Sequence, residues 1–235
     1  MLKISPKHKS RFKHHCSSPE FIMLVVYMKC RFSLSYREIE ELLEIRGGKV
    51  DHATAARWVH KFTPLIDQKI RKRKRSVSGS WRMDETYIKI KGKWCYLYRA
   101  VDKYGATIDF MLRKHRDAAA AKAFFRKDFK QHGNPNKVVM DKSGSNKSAI
   151  DKINNELEEK DKIHISQEKY PNNIMEQDHR FVKKRTKPTL GFKNLTSAKR
   201  TIMGIENIRM IQKKQIKGTH EDNSVYKNFC ILMAA

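Results

Sequence analysis

The chain has 235 residues, 39% hydrophobic and 32% charged, which is enough apolar material for one large or two small folded domains. Its 51 Lys and Arg against 25 Asp and Glu give a net charge of +26, which favours a nucleic-acid partner and leaves a non-specifically basic protein as the alternative. The longest apolar run, residues 21–28, is too short to span a bilayer. With no signal-peptide pattern and four widely spaced cysteines, we expect a cytoplasmic protein without a zinc site or disulfides.

The first 80 residues carry a net charge of +11 and predict three segments. Residues 1–17 are basic with little periodicity, and we expect a flexible basic arm there. Residues 18–65 predict a helix-turn-helix DNA-binding domain. Residues 66–80 contain the run RKRKR followed by small polar residues, which predicts a basic linker that also follows DNA phosphates.

Three helices are predicted within this DNA-binding domain. The string SPE begins the first, the capping box SYRE begins the second, and Asp51 caps the third, which Pro64 is expected to end. In a helix-turn-helix the third helix enters the major groove, so His52, Thr54 and Arg57 near its start are candidate DNA-binding residues. A plain three-helix bundle has the same pattern, and only the basic charge favours DNA binding over it.

From residue 81 the hydrophobic pattern alternates. The strings MDETYIKIK, WCYLYRAVD and TIDFMLR predict three antiparallel strands, and KVVM predicts a buried parallel strand. Helices are expected at about 117–131, 144–160 and 174–185, with a strand at 163–165. This order is that of the RNase H-like fold. We therefore predict an α/β RNase H-like catalytic domain over residues 81–217, a mixed five-stranded sheet with flanking helices preceded by the all-α domain, and a tail at 218–235.

Three carboxylates lie where this topology should place metal ligands. Asp84 is in the first strand, Asp141 directly follows the fourth strand, and Glu176 is in the first turns of the last helix. Two-metal phosphoryl transfer needs carboxylates from separate elements that converge on ions about 4 Å apart, and Mg²⁺ prefers hard oxygen ligands. We therefore predict that Asp84, Asp141 and Glu176 are catalytic and bind two Mg²⁺ ions.

The helix that carries Glu176 also carries cations on the same face. Arg180 and Lys183 follow four and seven residues later, so the three side chains share one side of the helix. This arrangement suits a helix beside a DNA backbone, and we expect Arg180 and Lys183 to bind DNA. An ordinary Glu–Arg surface pair is the alternative.

Other acidic and polar residues near these positions have lesser predicted roles. Glu85 follows Asp84 directly, so its side chain should point to the opposite face of the sheet. Asp102 lies at a turn, where aspartate is common. Asp178 and His179 face elsewhere on the last helix and are candidates to hydrogen-bond to the metal ligands without contacting the metal themselves.

The strings around these residues resemble a known family, the DDE transposases of the insertion sequence six (IS-six) family. The catalytic part of that family is similar to WRMDETYIKIKGKWCYLYRAVD, YPNNIMEQDHR and TLGFKNLTSAKRTIMGIENIR. Its N-terminal helix-turn-helix is similar to SYREIEELLEIRG and VDHATAARWVHKF. The resemblance covers about residues 21–214, and 34 residues separate Asp141 from Glu176.

The resemblance implies a catalytic triad of Asp84, Asp141 and Glu176, with Lys183 as the family's basic residue seven positions after the Glu. It implies Mg²⁺-dependent nicking at terminal inverted repeats, with Mn²⁺ able to replace Mg²⁺. The resulting 3′-hydroxyl would attack target DNA by a replicative, cointegrate-forming route. It also implies a homodimer or larger assembly on double-stranded DNA, at the nucleoid of a bacterial cytoplasm.

The chain departs from the family pattern at three places. After Asp141 it reads KSGSNKSAI, where an aromatic residue is common, Pro171 replaces a basic or bulky residue, and residues 217–235 match little. These changes do not affect the triad, but an inactive transposase remnant stays an alternative interpretation. A helix-turn-helix regulator would explain the charge but not the triad, and a nuclease without strand transfer would share the triad.

Overall fold

The computed structural model describes residues 2–142, 144–167, 173–187 and 191–235, which divide into two compact units. A helical unit combines Met1–Arg75 with Val182–Ala235, and a second unit, Ser76–Phe181, contains the sheet. This division differs from the predicted catalytic segment 81–217, because the chain after residue 181 contributes to the helical unit. None of the described helices has the length and apolar character needed to cross a membrane.

In chain order the helices and strands are α1 (Pro6–Lys9), a 3-10 helix (Ser10–Phe12), α2 (Pro19–Arg31), α3 (Tyr36–Glu44), α4 (His52–Arg73), β1 (Ser80–Ile90), β2 (Lys93–Asp102), β3 (Thr107–Arg113), α5 (Ala118–His132), β4 (Lys137–Met140), α6 (Gly144–Asn154), a 3-10 helix (Glu159–Asp161), β5 (His164–Gln167), α7 (Asn173–Thr186), α8 (Leu195–Gln212) and α9 (Val225–Ala234). From α2 to α7 the helices and strands follow the predicted order, whereas α1, the two 3-10 helices, α8 and α9 were not predicted. The predicted helix starts are confirmed: Ser18, Ser35 and Asp51 cap α2, α3 and α4, and Ser35 forms a complete capping box with Glu38.

The sequence predicted that helix α4 ends at Pro64. The prediction was wrong, because the helix continues for nine more residues. Proline has no N–H for the carbonyl four residues earlier, so the oxygen of His60 needs another donor. Arg200 of α8 supplies it, with its Nη1 atom 2.6 Å from the His60 carbonyl. The extended helix buries Ile70, so the predicted linker at 66–80 is helical as far as residue 73.

The first and last stretches of the chain are folded into the helical unit. The arm predicted to be flexible at 1–17 buries Phe12, whose ring stacks on Phe62 with the centroids 4.4 Å apart. The tail at 218–235 contains α9, which buries Phe229. The Phe229 ring lies 5.0 Å from that of Tyr27, so both segments are fixed by contacts with residues far away in the sequence.

Close packing of α8 against α2 and α4 explains why the helical unit includes residues after 181. A Cβ atom placed on Gly204 would lie 2.3 Å from Cys30 Sγ and 2.7 Å from Thr63 Cγ2, so only glycine permits this approach. A β-bridge between Lys74 and Ile216 also joins the end of the N-terminal segment to the C-terminal one. The helices before and after the sheet unit therefore share one core.

The sheet has the strand order β3-β2-β1-β4-β5. Strands β1, β2 and β3 form an antiparallel meander, and β4 and β5 extend it in parallel. Lys91 and Gly92 join β1 to β2 with φ angles of 49° and 77°, as a two-residue type I′ turn requires. A mixed five-stranded sheet in this order, with helices after β3, β4 and β5, is the RNase H-like fold, so the predicted fold class is confirmed.

The core of this unit lies where one face of the sheet meets α5 and α6. Its strand residues include Trp81, Met83 and Tyr98, and its α5 residues include Phe124 and Phe125. Burying large aromatic side chains of this kind is the main driving force for packing a helix on a sheet. The core therefore fixes the central strands, whose ends carry the predicted carboxylates.

Candidate active site

Asp84 and Asp141 meet because β1 and β4 lie side by side in parallel. The register pairs Arg82 with Val139, so two residues further on Asp84 comes beside Asp141. One carboxylate oxygen each from Asp84, Glu85 and Asp141 lie within 4.8 Å of one another. The structure thus brings two of the three predicted ligands together, in a group that we call the acid cluster.

Glu85 belongs to the acid cluster, although strand alternation alone predicts that its side chain points away from Asp84. Its side chain is only 3% exposed, as expected for the core face of β1, yet one oxygen reaches the two aspartates. Arg116 bridges the cluster: its Nη2 atom is 3.3 Å from Glu85 Oε2 and 3.4 Å from Asp141 Oδ2. The guanidinium therefore offsets part of the repulsion between the neighbouring carboxylates.

The electrostatics of the acid cluster suit a divalent cation. Burial raises the pKa of Asp84 to about 6, and the charges of Glu85 and Asp141 act in the same direction. Burial also raises the pKa of Glu85, against the opposing effect of Arg116. Carboxylates whose charged forms are disfavoured in this way are stabilised by a bound cation, and hard oxygen ligands suit Mg²⁺. The residues present therefore fit the predicted metal ion.

Glu176 is not among the carboxylates that approach within 4.8 Å in the described part of the chain. Its Oε1 atom instead accepts a hydrogen bond from Arg180 Nη2 at 2.6 Å, the surface pair that was the alternative interpretation. One turn later, His179 Nδ1 lies 3.7 Å from Asp84 Oδ2, so the first half of α7 lies next to β1. Residues three apart are neighbours on a helix surface, so Glu176 lies one turn before the residue of α7 that approaches Asp84.

A buried ion pair holds this half of α7 against the sheet. Arg99 Nη2 lies 3.2 Å from Asp178 Oδ2, and the two side chains are 1% and 3% exposed. Arg99 is the direct β2 partner of Asp84, so the pair lies beside the acid cluster. Sequence reasoning missed Arg99, although the two-residue turn at 91–92 fixes the hairpin register and puts residue 99 opposite residue 84.

The remaining predicted residues are accessible. His52 Nδ1 is 2.9 Å from Glu40 Oε2, which joins the start of α4 to α3. Thr54 donates a hydrogen bond to the capping residue Asp51 and accepts one from Arg57. On α7, both cations predicted to contact DNA are exposed: Arg180 and Lys183.

A cleft of about 590 Å³ lies beside the start of α4. Among its lining residues are the basic or titratable side chains of His14, His15, Lys49, Arg57 and Lys61. Asp51 accepts hydrogen bonds, of which the one from the Thr54 side chain has the largest effect. These bonds hold the pKa of Asp51 below its ordinary value, so the capping carboxylate stays charged. This end of the helical unit therefore combines an ordered helix start with a basic concavity.

Comparison with known proteins identifies relatives over most of the chain. A family model described as a DDE domain matches residues 78–215, more than half of the chain. The chain is 42% identical over 203 residues to the transposase for insertion sequence-like element IS431mec of Staphylococcus aureus, covering 86% of this chain and 89% of the relative. The transposase for insertion sequence element IS257 in transposon Tn4003, from the same species, matches to the same extent.

Among solved structures, the catalytic core domain of HTLV-2 integrase in complex with magnesium (dimeric form) matches with a TM-score of 0.46 at 14% identity. That match covers 66% of this chain and 99% of the integrase chain. A chain of the simian T-cell lymphotropic virus intasome in complex with PP2A regulatory subunit B56 gamma matches with a TM-score of 0.43 at 16% identity, over 67% of this chain and 58% of that one. These likenesses are too distant to assign a function.

The DDE domain defines the class of this protein: it is a polynucleotidyl transferase, an enzyme that acts on nucleic-acid strands. More narrowly, the chain belongs to the DDE transposases of the insertion sequence six family, as the sequence strings predicted. Transposases of this family have DNA as their substrate and generally use divalent metal ions.

Proposed function

We propose that this transposase binds the terminal inverted repeats of an insertion sequence, nicks the DNA to expose a 3′-hydroxyl, and joins that end to target DNA by a replicative route. The observation that carries the proposal is the acid cluster at the adjoining ends of β1 and β4. Asp84, Asp141 and Glu176 would hold two Mg²⁺ ions, for which Mn²⁺ can substitute. When bound, such ions activate the attacking oxygen and stabilise the leaving one.

Glu176 completes the ligand set from α7. Without metal it pairs with Arg180, but an exposed pair of this kind contributes at most about 1 kcal/mol, so exchanging the guanidinium for a metal ion costs little. The exchange frees Arg180 for a DNA phosphate, alongside Lys183 on the same helix. The ion pair of Arg99 and Asp178 holds the first half of α7 on the sheet, which supports this role for Glu176.

The helix-turn-helix at 18–65 would recognise the inverted repeats. His52, Thr54 and Arg57 lie at the exposed start of α4, the part of a recognition helix that meets base edges, and the basic cleft beside them suits a phosphate. Two transposon ends must be held together for joining, which requires at least a homodimer on DNA. The protein would act on chromosomal DNA, at the nucleoid in the bacterial cytoplasm, with its chemistry located in residues 81–217.

Replacing Glu176 by Gln tests the catalytic assignment. We expect Glu176→Gln to keep inverted-repeat binding but to lower Mg²⁺-dependent strand transfer by at least about a hundredfold, because a neutral amide is a poor metal ligand. Binding is measured by gel shift on a repeat duplex, and joining by the appearance of a labelled 3′ end in target DNA. The full-length protein is used in both assays.

The matched control is Glu159→Gln, which removes an exposed acid elsewhere in the sheet unit. It should keep both repeat binding and strand transfer. Full strand transfer in Glu176→Gln contradicts the catalytic role of Glu176. Cleavage without joining by the unaltered protein would identify a nuclease, and repeat binding without cleavage would identify a regulator or an inactive remnant.

A further inference from the structure

Aromatic side chains lie together near the turn of the β1–β2 hairpin, on the face that carries the core residues Met83 and Tyr98 further along the strands. Tyr87 is the cross-strand partner of Tyr96, and Lys89 is the partner of Trp94. The Tyr87 ring centroid is 5.4 Å from that of Tyr96 and 6.2 Å from that of Trp94, and Lys89 Nζ is 5.9 Å from the Trp94 centroid. We call Tyr87, Trp94 and Tyr96 the aromatic platform.

Two rings of the platform, Tyr87 and Trp94, face solvent, whereas Tyr96 packs partly against the core. Trp94 is 59% exposed and Tyr87 is 48% exposed, while Ile88, Ile90 and Leu97 point to the opposite face and are buried. Tyr87 and Trp94 therefore lie where this side of the sheet extends beyond its core into water, and water-facing positions of an antiparallel sheet are normally polar. Grouped, exposed aromatic side chains on such a face indicate a binding surface.

The surroundings of the platform are basic. Lys91 lies in the turn of the hairpin, Lys93 follows the turn, and Arg113 lies directly opposite Tyr96 on β3. Residues 86–101 contain no Asp or Glu. Aromatic rings framed by cations match a polyanion whose bases can stack, better than they match an apolar protein surface.

The platform also begins next to the acid cluster. Tyr87 follows Glu85 by two residues on the same face of β1, a distance of about 7 Å. A DNA strand with a phosphate at the acid cluster would therefore pass Tyr87 within about two nucleotides, at roughly 3.4 Å for each stacked base. The next pair along the hairpin, Lys89 and Trp94, continues the same path outward.

We infer that the aromatic platform stacks on unpaired bases of the DNA strand that lies next to the acid cluster. Paired bases present only their edges in the grooves, whereas unpaired bases expose faces on which aromatic rings can stack. The ligand is therefore single-stranded DNA, bound without sequence preference. The inference rests on the proposed function, which places a DNA strand at the acid cluster.

Tryptophan fluorescence reports directly on the platform. Trp94 is exposed, whereas Trp58 and Trp81 are only 4% and 2% exposed. The full-length protein in EDTA is titrated with an oligothymidylate of about 12 nucleotides, within the usual site size of such surfaces, and with a blunt duplex of equal length. We expect the oligothymidylate to quench Trp94 strongly and the duplex to quench it weakly. Equal quenching by both would overturn the inference.

Substitutions measure how much the rings contribute to affinity. By anisotropy of a labelled oligothymidylate, Trp94→Ala and Tyr87→Ala should each lose at least about fivefold in affinity, while Trp94→Phe should stay within about twofold because it keeps a ring. The matched control is Tyr104→Ala, which removes a 78% exposed ring with Lys103 Nζ 4.9 Å from its centroid. Equal losses in control and platform variants, or none in the platform variants, would overturn the inference.

These outcomes are separate from those that test the proposed function, because single-strand binding is measured without metal or strand transfer. If platform variants bind oligothymidylate normally while the protein still joins repeat DNA, the inference fails and the proposed function stands. If the unaltered protein neither nicks nor joins repeat DNA while Trp94→Ala loses single-strand binding, the proposed function fails and the platform remains a single-strand binding surface. A change of oligomeric state on sedimentation, with oligothymidylate affinity unchanged, would make the platform a contact between two copies and overturn the inference.

Discussion

Replacing Asp84 by Asn should stabilise the metal-free transposase. The folded protein raises the pKa of Asp84 from 3.8 to about 6. Between these values the folded state holds a proton that the unfolded chain releases, so stability falls as the pH rises through this window. At neutral pH the charged carboxylate is therefore a net cost to folding, which asparagine avoids because it carries no charge.

The size of the effect follows from the pKa shift and the exposure of the side chain. A shift of about two units corresponds to about 3 kcal/mol for a fully buried carboxylate. Because 39% of the Asp84 side chain is exposed, solvent screening reduces this to about 1 kcal/mol. In a protein of this size that gain raises Tm by about 2–4 °C at neutral pH. The gain should disappear below about pH 4, where wild-type Asp84 is protonated in both states.

Thermal unfolding in EDTA and in excess Mg²⁺ measures both stability and metal response. Wild-type Tm should rise with Mg²⁺, because the ion binds only the folded acid cluster, and Asp84→Asn should lose most of that rise. Asp151→Asn, which removes an exposed acid on α6, is the matched control and should behave as wild type. The reasoning is refuted if Asp84→Asn melts below wild type in EDTA, or gains as much as wild type from Mg²⁺.

Two other substitutions test the positioning ion pair and the DNA interface. Arg99→Met leaves the Asp178 carboxylate buried without this cation and should lower the free energy of unfolding by about 3–5 kcal/mol in urea titrations, a loss that Asp178→Leu in the same chain should largely reverse. A loss below about 1 kcal/mol in the single variant would contradict a structural role. Arg57→Ala should weaken repeat binding and reduce the slope of log affinity against log salt by about one. An unchanged slope in gel shifts over a salt series would exclude a phosphate contact by Arg57.

The sheet unit was predictable because its signals are local. Alternation in MDETYIKIK and the turn at Lys91 and Gly92 fix the first hairpin, and the apolar run KVVM directly before Asp141 marks a buried strand end. Parallel strands side by side then bring Asp84 and Asp141 together without further information. The same alternation hid Glu85, because a strand period describes where a side chain starts and not how far its carboxylate reaches.

Other features depend on contacts that no local pattern contains. Helix α4 passes through Pro64 because Arg200, which lies 140 residues after His60, donates to the orphaned carbonyl. Glu176 pairs with Arg180, and the sequence alone does not tell whether the cation beside a carboxylate is a guanidinium group or a metal ion. The role of α8 in the helical core likewise arises from packing at Gly204 and not from periodicity.

The helical unit combines residues from before and after the sheet unit, and this fixes the order in which the two units can fold during synthesis. Residues 1–75 leave the ribosome early but cannot close their core until 182–235, with α8, have also been made. At about 5–20 residues per second, that wait adds several seconds after the sheet unit is complete. A nascent chain therefore completes the sheet unit, with Asp84 and Asp141, before it can complete the helical unit, and a chain that stopped after residue 181 would lack the second half of the helical core.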